Sequence, residues 1–285
     1  MKATILLPLL AFSTTAVSAF NRIIAYADSL TDAGTDYSIT KFPPYPYWEG
    51  RFTNGPTWLE HVDMNLNGVE IINTANGGST SNNEDVYYVI KDFLVPGLQQ
   101  KILTTYVNGT ADDLYLIYIG YNDLNAIVNP DQYIITNKNY TKEKISENVV
   151  KSAELLINMY GAKNFLVMNV IPFDLFPVVQ DKDKKAAKKL IEDYNALVTS
   201  ELPKNFPDAD FKFIDDHSWF VEQIKNPKKL GLKTSNGPCA WGVGNTTACD
   251  DPEKHFFWDS AHPSRAVHAA FGDWATKQIK SIYKL

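Results

Sequence analysis

The 285-residue chain predicts a doubly wound α/β sandwich around a parallel sheet, and two features of its patterning carry that prediction. Five short runs are apolar on both faces: Arg22 to Tyr26, Val69 to Ile72, Leu114 to Ile119, Phe165 to Val170 and Phe211 to Ile214. Strands of a parallel sheet read this way because helices cover both sides of it, whereas a half-exposed strand alternates polar and apolar residues. The second feature is the helical patterning between the later runs, over Lys144 to Tyr160 and Asp181 to Leu202. In the latter, Leu190, Ile191, Tyr194, Leu197 and Val198 form one stripe.

In chain order, the first element is an export signal. Met1-Lys2 precedes an apolar run from Ala3 to Ala11, and small residues at Val17 and Ala19 fit a signal-peptidase site. Residues 1–19 are therefore expected to be a signal peptide, and residues 20–285 a single domain, secreted and extracellular. No repeat, low-complexity linker or composition break divides them. Later apolar runs are strand-length, short of the roughly 20 residues that span a bilayer, so stable membrane insertion is not expected. A net charge of −6 makes the chain a poor ligand for nucleic acid.

The first strand ends at Ala25-Tyr26-Ala27 and passes into Asp28-Ser29-Leu30, a polar turn suited to a nucleophile. If Ser29 also opens a helix, its backbone N–H and the helix dipole would face a developing negative charge. A Pro-rich aromatic segment follows, with Tyr45, Tyr47, Trp48, Phe52 and Trp58 spaced too irregularly for a helix stripe. The second strand runs into Gly77-Gly78 and the third into Gly120-Tyr121-Asn122-Asp123. The Lys182 to Lys189 charge run reads as the solvated face of its helix. Near the C-terminus, Asp259 and His262 stand three residues apart before Pro263.

Ligands of open parallel sheets bind beyond the carboxyl ends of the strands, and the polar turns all fall there. Acyl transfer needs a nucleophile, a base, a group that orients the base, and donors for the oxyanion. Ser29, His262 and Asp259 fit the first three roles. Gly78, where backbone can approach closely, and the uncharged amide of Asn122 fit the last, together with Ser29 itself. Gly77 competes with Gly78, and spacing after Asn73 and Ala75 selects Gly78; Asp123 fits either an anchor for the asparagine loop or a solvated turn. His61, His217, His255 and His268 lack a partner pattern and read as structural or exposed. Cys239 and Cys249, the only two cysteines, are expected to form a disulfide, and three Asn-x-Ser/Thr acceptors at Asn108, Asn139 and Asn245 agree with export.

Four blocks resemble the GDSL/SGNH hydrolase family in its own order: Ala27-Asp28-Ser29-Leu30, Asn73-Thr74-Ala75-Asn76-Gly77-Gly78-Ser79, Gly120-Tyr121-Asn122-Asp123, and Asp259-Ser260-Ala261-His262. Glu49 to Trp58 resembles the plant-type and fungal branch, with fungal carbohydrate-esterase acetylesterases and GDSL lipases as its nearest picture. The resemblance implies a flavodoxin-like α/β/α sandwich, no metal or organic cofactor, a Ser29–His262–Asp259 triad, and Gly78 and Asn122 in the oxyanion hole. It departs at Ala27, where the block begins with glycine. Trp48, Phe52 and Tyr121 are the expected substrate-facing aromatics. The expected activity is acetylester or short-chain ester hydrolysis on saccharides. Lipid-ester hydrolysis or acyl transfer is the alternative, and a non-catalytic carbohydrate- or surface-binding protein is the alternative of another class.

Overall fold

A computed structural model describes residues 20–285, so the expected signal peptide lies outside the described residues. Strands β1 (Arg22–Ala27), β2 (Glu70–Asn73), β3 (Leu114–Tyr118), β4 (Asn164–Met168) and β5 (Asp210–Ile214) form one parallel sheet. Its order is β2-β1-β3-β4-β5, the flavodoxin-like arrangement. The register pairs Ala25 with Leu116, Tyr115 with Phe165, and Phe165 with Phe211. Ile23, Ile24, Leu116, Ile117 and Leu166 are fully buried, which explains their runs without polar interruption. Burying one such side chain stabilises the fold by about 1.5–3 kcal/mol before entropy costs.

Among the described residues, eight α-helices accompany the sheet: α1 (Thr35–Thr40), α2 (Trp58–Asn65), α3 (Leu98–Thr104), α4 (Tyr121–Val128), α5 (Lys142–Tyr160), α6 (Lys184–Asn205), α7 (Asp216–Lys225) and α8 (Arg265–Tyr283). Two groups pack internally, α2 on α8 and α3 on α5 on α6, giving the outer layers. Helix α5 starts where Thr141 Oγ1 accepts the Lys144 N–H and stops at Gly161, whose φ of 66° is left-handed. Helix α6 runs through Pro203 to Asn205, past the expected stop at Leu202, because a proline in the last turn removes only one backbone bond. Lys184, Lys188 and Lys189 on it pair with Asp181, Glu192 and Asp193 at the surface, as a solvated face requires.

The α2–α8 contact reaches the nucleophile turn. At Gly272 a Cβ would lie 2.7 Å from the Trp58 carbonyl oxygen, so glycine lets the two helices close. Trp58 donates its backbone N–H to His268 Nδ1 at 3.2 Å and its indole N–H to Thr31 Oγ1 at 3.0 Å. Trp58 is thus fully buried core beneath the turn and does not face substrate.

Burial pushes His268 down to about 3, and its accepting Nδ1 requires the neutral ring. Between that value and the ordinary pKa near 6.5, the unfolded chain binds a proton that the folded chain excludes, so this group adds stability as pH rises. Its share is complete above the ordinary value and is lost as pH falls toward the folded one. His268→Asn is expected to remove up to about 1.4 kcal/mol per pH unit from the slope of unfolding free energy between roughly pH 4 and 6. Urea unfolding of both proteins at several pH values measures that slope difference, and parallel curves would refute it.

Candidate active site

Ser29 stands at the carboxyl end of β1 in a tight turn in which Asp28 O accepts the N–H groups of Thr31 and Asp32 at 3.0 Å. Asp28 Oδ1 caps the turn by accepting the Leu30 N–H at 3.1 Å. The nearest helix, α1, begins only at Thr35, so Ser29 does not open a helix and the expected helix-dipole contribution is absent. Asp32 interrupts the helical path, since its carboxylate accepts the N–H groups of Gly34, Thr35 and Asp36 itself. It also accepts the Gly77 N–H at 3.2 Å, which joins the turn to the loop after β2.

That bond separates the two competing glycines. Gly77 is committed to Asp32, whereas Gly78 lines the crevice with a φ of 84°. Ala27 fits the buried end of β1, where its carbonyl accepts the Asn76 N–H and the Lys101 ammonium, both at 3.3 Å. Beneath the turn lies a buried charged group that patterning does not reveal. Burial pushes Asp28 up to about 7 and Lys101 down to about 8, and it raises Asp36, with the neighbouring Asp32 charge adding to the effect. Lys101, on α3, is buried there among three carboxylates.

His262 reaches Ser29 from the C-terminal loop. Its Nε2 lies 2.8 Å from Ser29 Oγ, and its Nδ1 lies 2.8 and 2.9 Å from the two Asp259 oxygens. A carboxylate only accepts, so Nδ1 carries the proton and Nε2 presents its lone pair to the serine hydroxyl. Asp259 Oδ1 also accepts the N–H groups of Ala261 and His262, at 2.8 and 2.9 Å. All three residues are buried, Ser29 being 7% exposed. Such a chain can transfer the hydroxyl proton to imidazole as oxygen attacks a carbonyl.

Asn122 stands in the first turn of α4, its Nδ2 donating to Ser79 O at 3.0 Å. Asp123 is fully buried and anchors this loop by accepting Ser81 N–H at 2.8 Å and the hydroxyls of Ser81 and Tyr140, which excludes the solvated alternative. Ser29, Gly78, Asn122 and His262 line one crevice of about 330 Å³. Phe52 and Tyr121 line it too, with the Phe52 ring 5.3 Å from the His262 ring.

Trp48 is not brought to this crevice. It sits on a tight turn with Arg51 over its ring at 4.7 Å, so its face is already covered by a cation. Tyr47 has a role that its sequence neighbourhood does not signal. Its buried hydroxyl donates to Asp259 Oδ2 at 2.8 Å and accepts the Gly244 N–H at 2.8 Å. Burial, reinforced by Asp259, raises the phenol well above its ordinary range and keeps it a donor. The Cys239–Cys249 disulfide closes the loop bearing Gly244, and Gly242 and Val243 of that loop form part of the crevice wall. Tyr88, Asn125, Gln132, Tyr133 and Val178, all outside the four blocks, also line the crevice. Asn108 and Asn139 are exposed, while Asn245 is half-buried with its amide bonded to Trp241 O.

The chain is 27% identical to the phosphatidylcholine-sterol acyltransferase of Aeromonas hydrophila over 93% of its own length and 92% of that protein. It is 23% identical to the GDSL esterase/lipase EXL6 of Arabidopsis thaliana, over 92% of each chain. Among solved structures, the acetylxylan esterase Axe2 of Geobacillus stearothermophilus shares the fold with a TM-score of 0.55 at 13% identity, over 93% of this chain and 94% of that one. The model of the GDSL-like Lipase/Acylhydrolase family matches residues 28–275, from the nucleophile turn to α8, and the chain belongs to that family.

Proposed function

We propose that the protein is a secreted serine esterase that forms an acyl-enzyme on Ser29 and releases acetyl or other short acyl groups from acetylated saccharides. In this reading His262 is the base and later the acid, Asp259 holds its tautomer, and Gly78, Asn122 and the Ser29 N–H receive the oxyanion. The observation that carries it is the 2.8 Å Ser29–His262 contact at the floor of a small crevice walled by tyrosines and side-chain amides. A volume of about 330 Å³ lies at the lower end of the roughly 300–1,000 Å³ range of small-molecule sites. Gln132 and the Tyr88 hydroxyl on the crevice wall suit an alcohol portion that carries hydroxyls. Residues 20–285 are taken as the single catalytic domain of the exported protein.

A second reading, acyl transfer from or hydrolysis of lipid esters, is favoured by the likeness to the Aeromonas hydrophila acyltransferase along nearly the whole chain. Initial rates on p-nitrophenyl esters from acetyl to palmitoyl, with acetylated xylo-oligosaccharide and phosphatidylcholine–sterol vesicles alongside, separate the two. The expected result is a rate that falls at least about tenfold from acetyl to octanoyl, a loss of about 1.4 kcal/mol in transition-state binding, with acetate released from the sugar. Palmitoyl turnover comparable to acetyl, or acyl transfer to sterol, would replace the saccharide reading with the lipid one.

A further inference from the structure

Two of the three groups assigned to the oxyanion, Gly78 and Asn122, are each packed or bonded by a tyrosine from outside the central sheet. Segments Val86–Tyr87 and Ile134–Ile135 pair antiparallel, with Tyr87 opposite Ile134. This small ribbon sets Tyr88, just past one arm, against Tyr133, just before the other, with ring centroids 5.5 Å apart. Both rings line the crevice. Tyr88 lies across Gly78, where a Cβ would come within 2.4 Å of its ring.

Tyr133 acts through hydrogen bonds. Its hydroxyl accepts from Asn125 Nδ2 at 3.0 Å and lies 3.0 Å from Asn122 Oδ1. A phenol has one proton, and Asn125 Nδ2 can only donate, so that proton goes to Asn122 Oδ1. Burial raises Tyr133 far above its ordinary range, which keeps the proton in place. On the other side of the same amide, one N–H goes to Ser79 O at 3.0 Å. Turning the amide over would set its oxygen against the Ser79 carbonyl, acceptor against acceptor. The observed orientation leaves one amide N–H with no acceptor among the described residues.

We infer that Tyr133 is a positioning residue: it locks the Asn122 amide so that its remaining N–H, and not its oxygen, meets the oxyanion formed beside Ser29. The inference rests on the reading of Asn122 as an oxyanion donor. Without the lock, the amide samples the opposite orientation, in which a lone pair faces the developing charge. The ribbon is therefore part of the catalytic architecture, although it contributes no atom to the reacting groups.

A double-mutant cycle on p-nitrophenyl acetate tests this with the full secreted protein. Asn122→Ala is expected to lower kcat on the order of 10²- to 10³-fold. Tyr133→Phe keeps the ring and its packing, and is expected to lower kcat about tenfold with KM within about twofold. In the Asn122→Ala background, Tyr133→Phe should change kcat by less than about twofold, since there is no amide left to orient. A tenfold loss that persists in that background would overturn the proposal, as would a raised KM at unchanged kcat, which marks a mere pocket wall. Near-normal kcat in Asn122→Ala alone would instead overturn the oxyanion reading on which the proposal stands. Thermal unfolding of the four proteins verifies that all are folded.

Discussion

Ser29→Ala is expected to lower kcat by about 10⁶-fold while leaving the unfolding midpoint nearly unchanged. The serine hydroxyl faces the crevice and, among the described residues, bonds only His262 Nε2, so its removal costs no core contact and strands no buried backbone group. The turn that carries it is held by Asp28 and Asp32, which the substitution leaves intact. His262→Ala is expected to cost nearly as much, and the double variant little more than either, because the two side chains act on one proton. Active-site titration with a p-nitrophenyl phosphonate gives the check: wild type is labelled stoichiometrically, and Ser29→Ala not at all. Residual ester turnover within about a hundredfold of wild type would show that another group attacks, a conclusion drawn from the size of the triad effect.

Asp259→Asn is expected to lower kcat on the order of 10⁴-fold, through the tautomer and not through charge alone. Asp259 accepts from four donors: the N–H groups of Ala261 and His262, the His262 ring and the Tyr47 hydroxyl. Asparagine offers one acceptor oxygen, and the two backbone donors hold it. Its NH2 then meets the Tyr47 hydroxyl and His262 Nδ1, so the ring is driven to carry its proton on Nε2 and shows Ser29 a donor in place of a lone pair. The imidazolium that forms during attack also loses its counter-charge. Steady-state kcat measured on the folded variant checks this, and a loss smaller than about tenfold would mean that His262 is oriented without Asp259, since a tautomer error costs far more.

Much of the chemistry is carried by short segments whose geometry is local. The turn at Asp28-Ser29 follows from an apolar strand ending in residues that bond their own backbone. Asp259 reaches His262 because the two stand three positions apart in one turn, and the contacts between them, backbone and ring, lie within that turn. The five apolar runs predict a parallel sheet because burial on both faces leaves no room for alternation, and the sheet has all five in parallel pairing. Where the reading of Ser29 as a helix opener fails, the cause is also local, since Asp32 takes up the N–H groups at the start of α1.

Aromatics were the least legible part of the site. Tyr47, Trp48, Phe52 and Trp58 stand within one segment of similar composition, yet one bonds Asp259, one is covered by Arg51, one lines the crevice and one is core. Side-chain direction in an irregular loop depends on what packs against it, and no periodicity encodes that.

By itself the sequence determined the sheet and the two long helices through their burial pattern, and its four blocks single out Ser29, Gly78, Asn122, Asp259 and His262 as the candidate site. Tertiary structure alone decided that Gly77 is tied to Asp32, that Lys101 lies buried among the carboxylates under the turn, that Tyr47 supports Asp259, and that a ribbon of two remote dipeptides brings Tyr133 to Asn122. Those pairings join residues far apart in the chain, and a hydrogen bond between distant groups exists only once the packing of everything between them has set their distance and removed the water that would otherwise satisfy them.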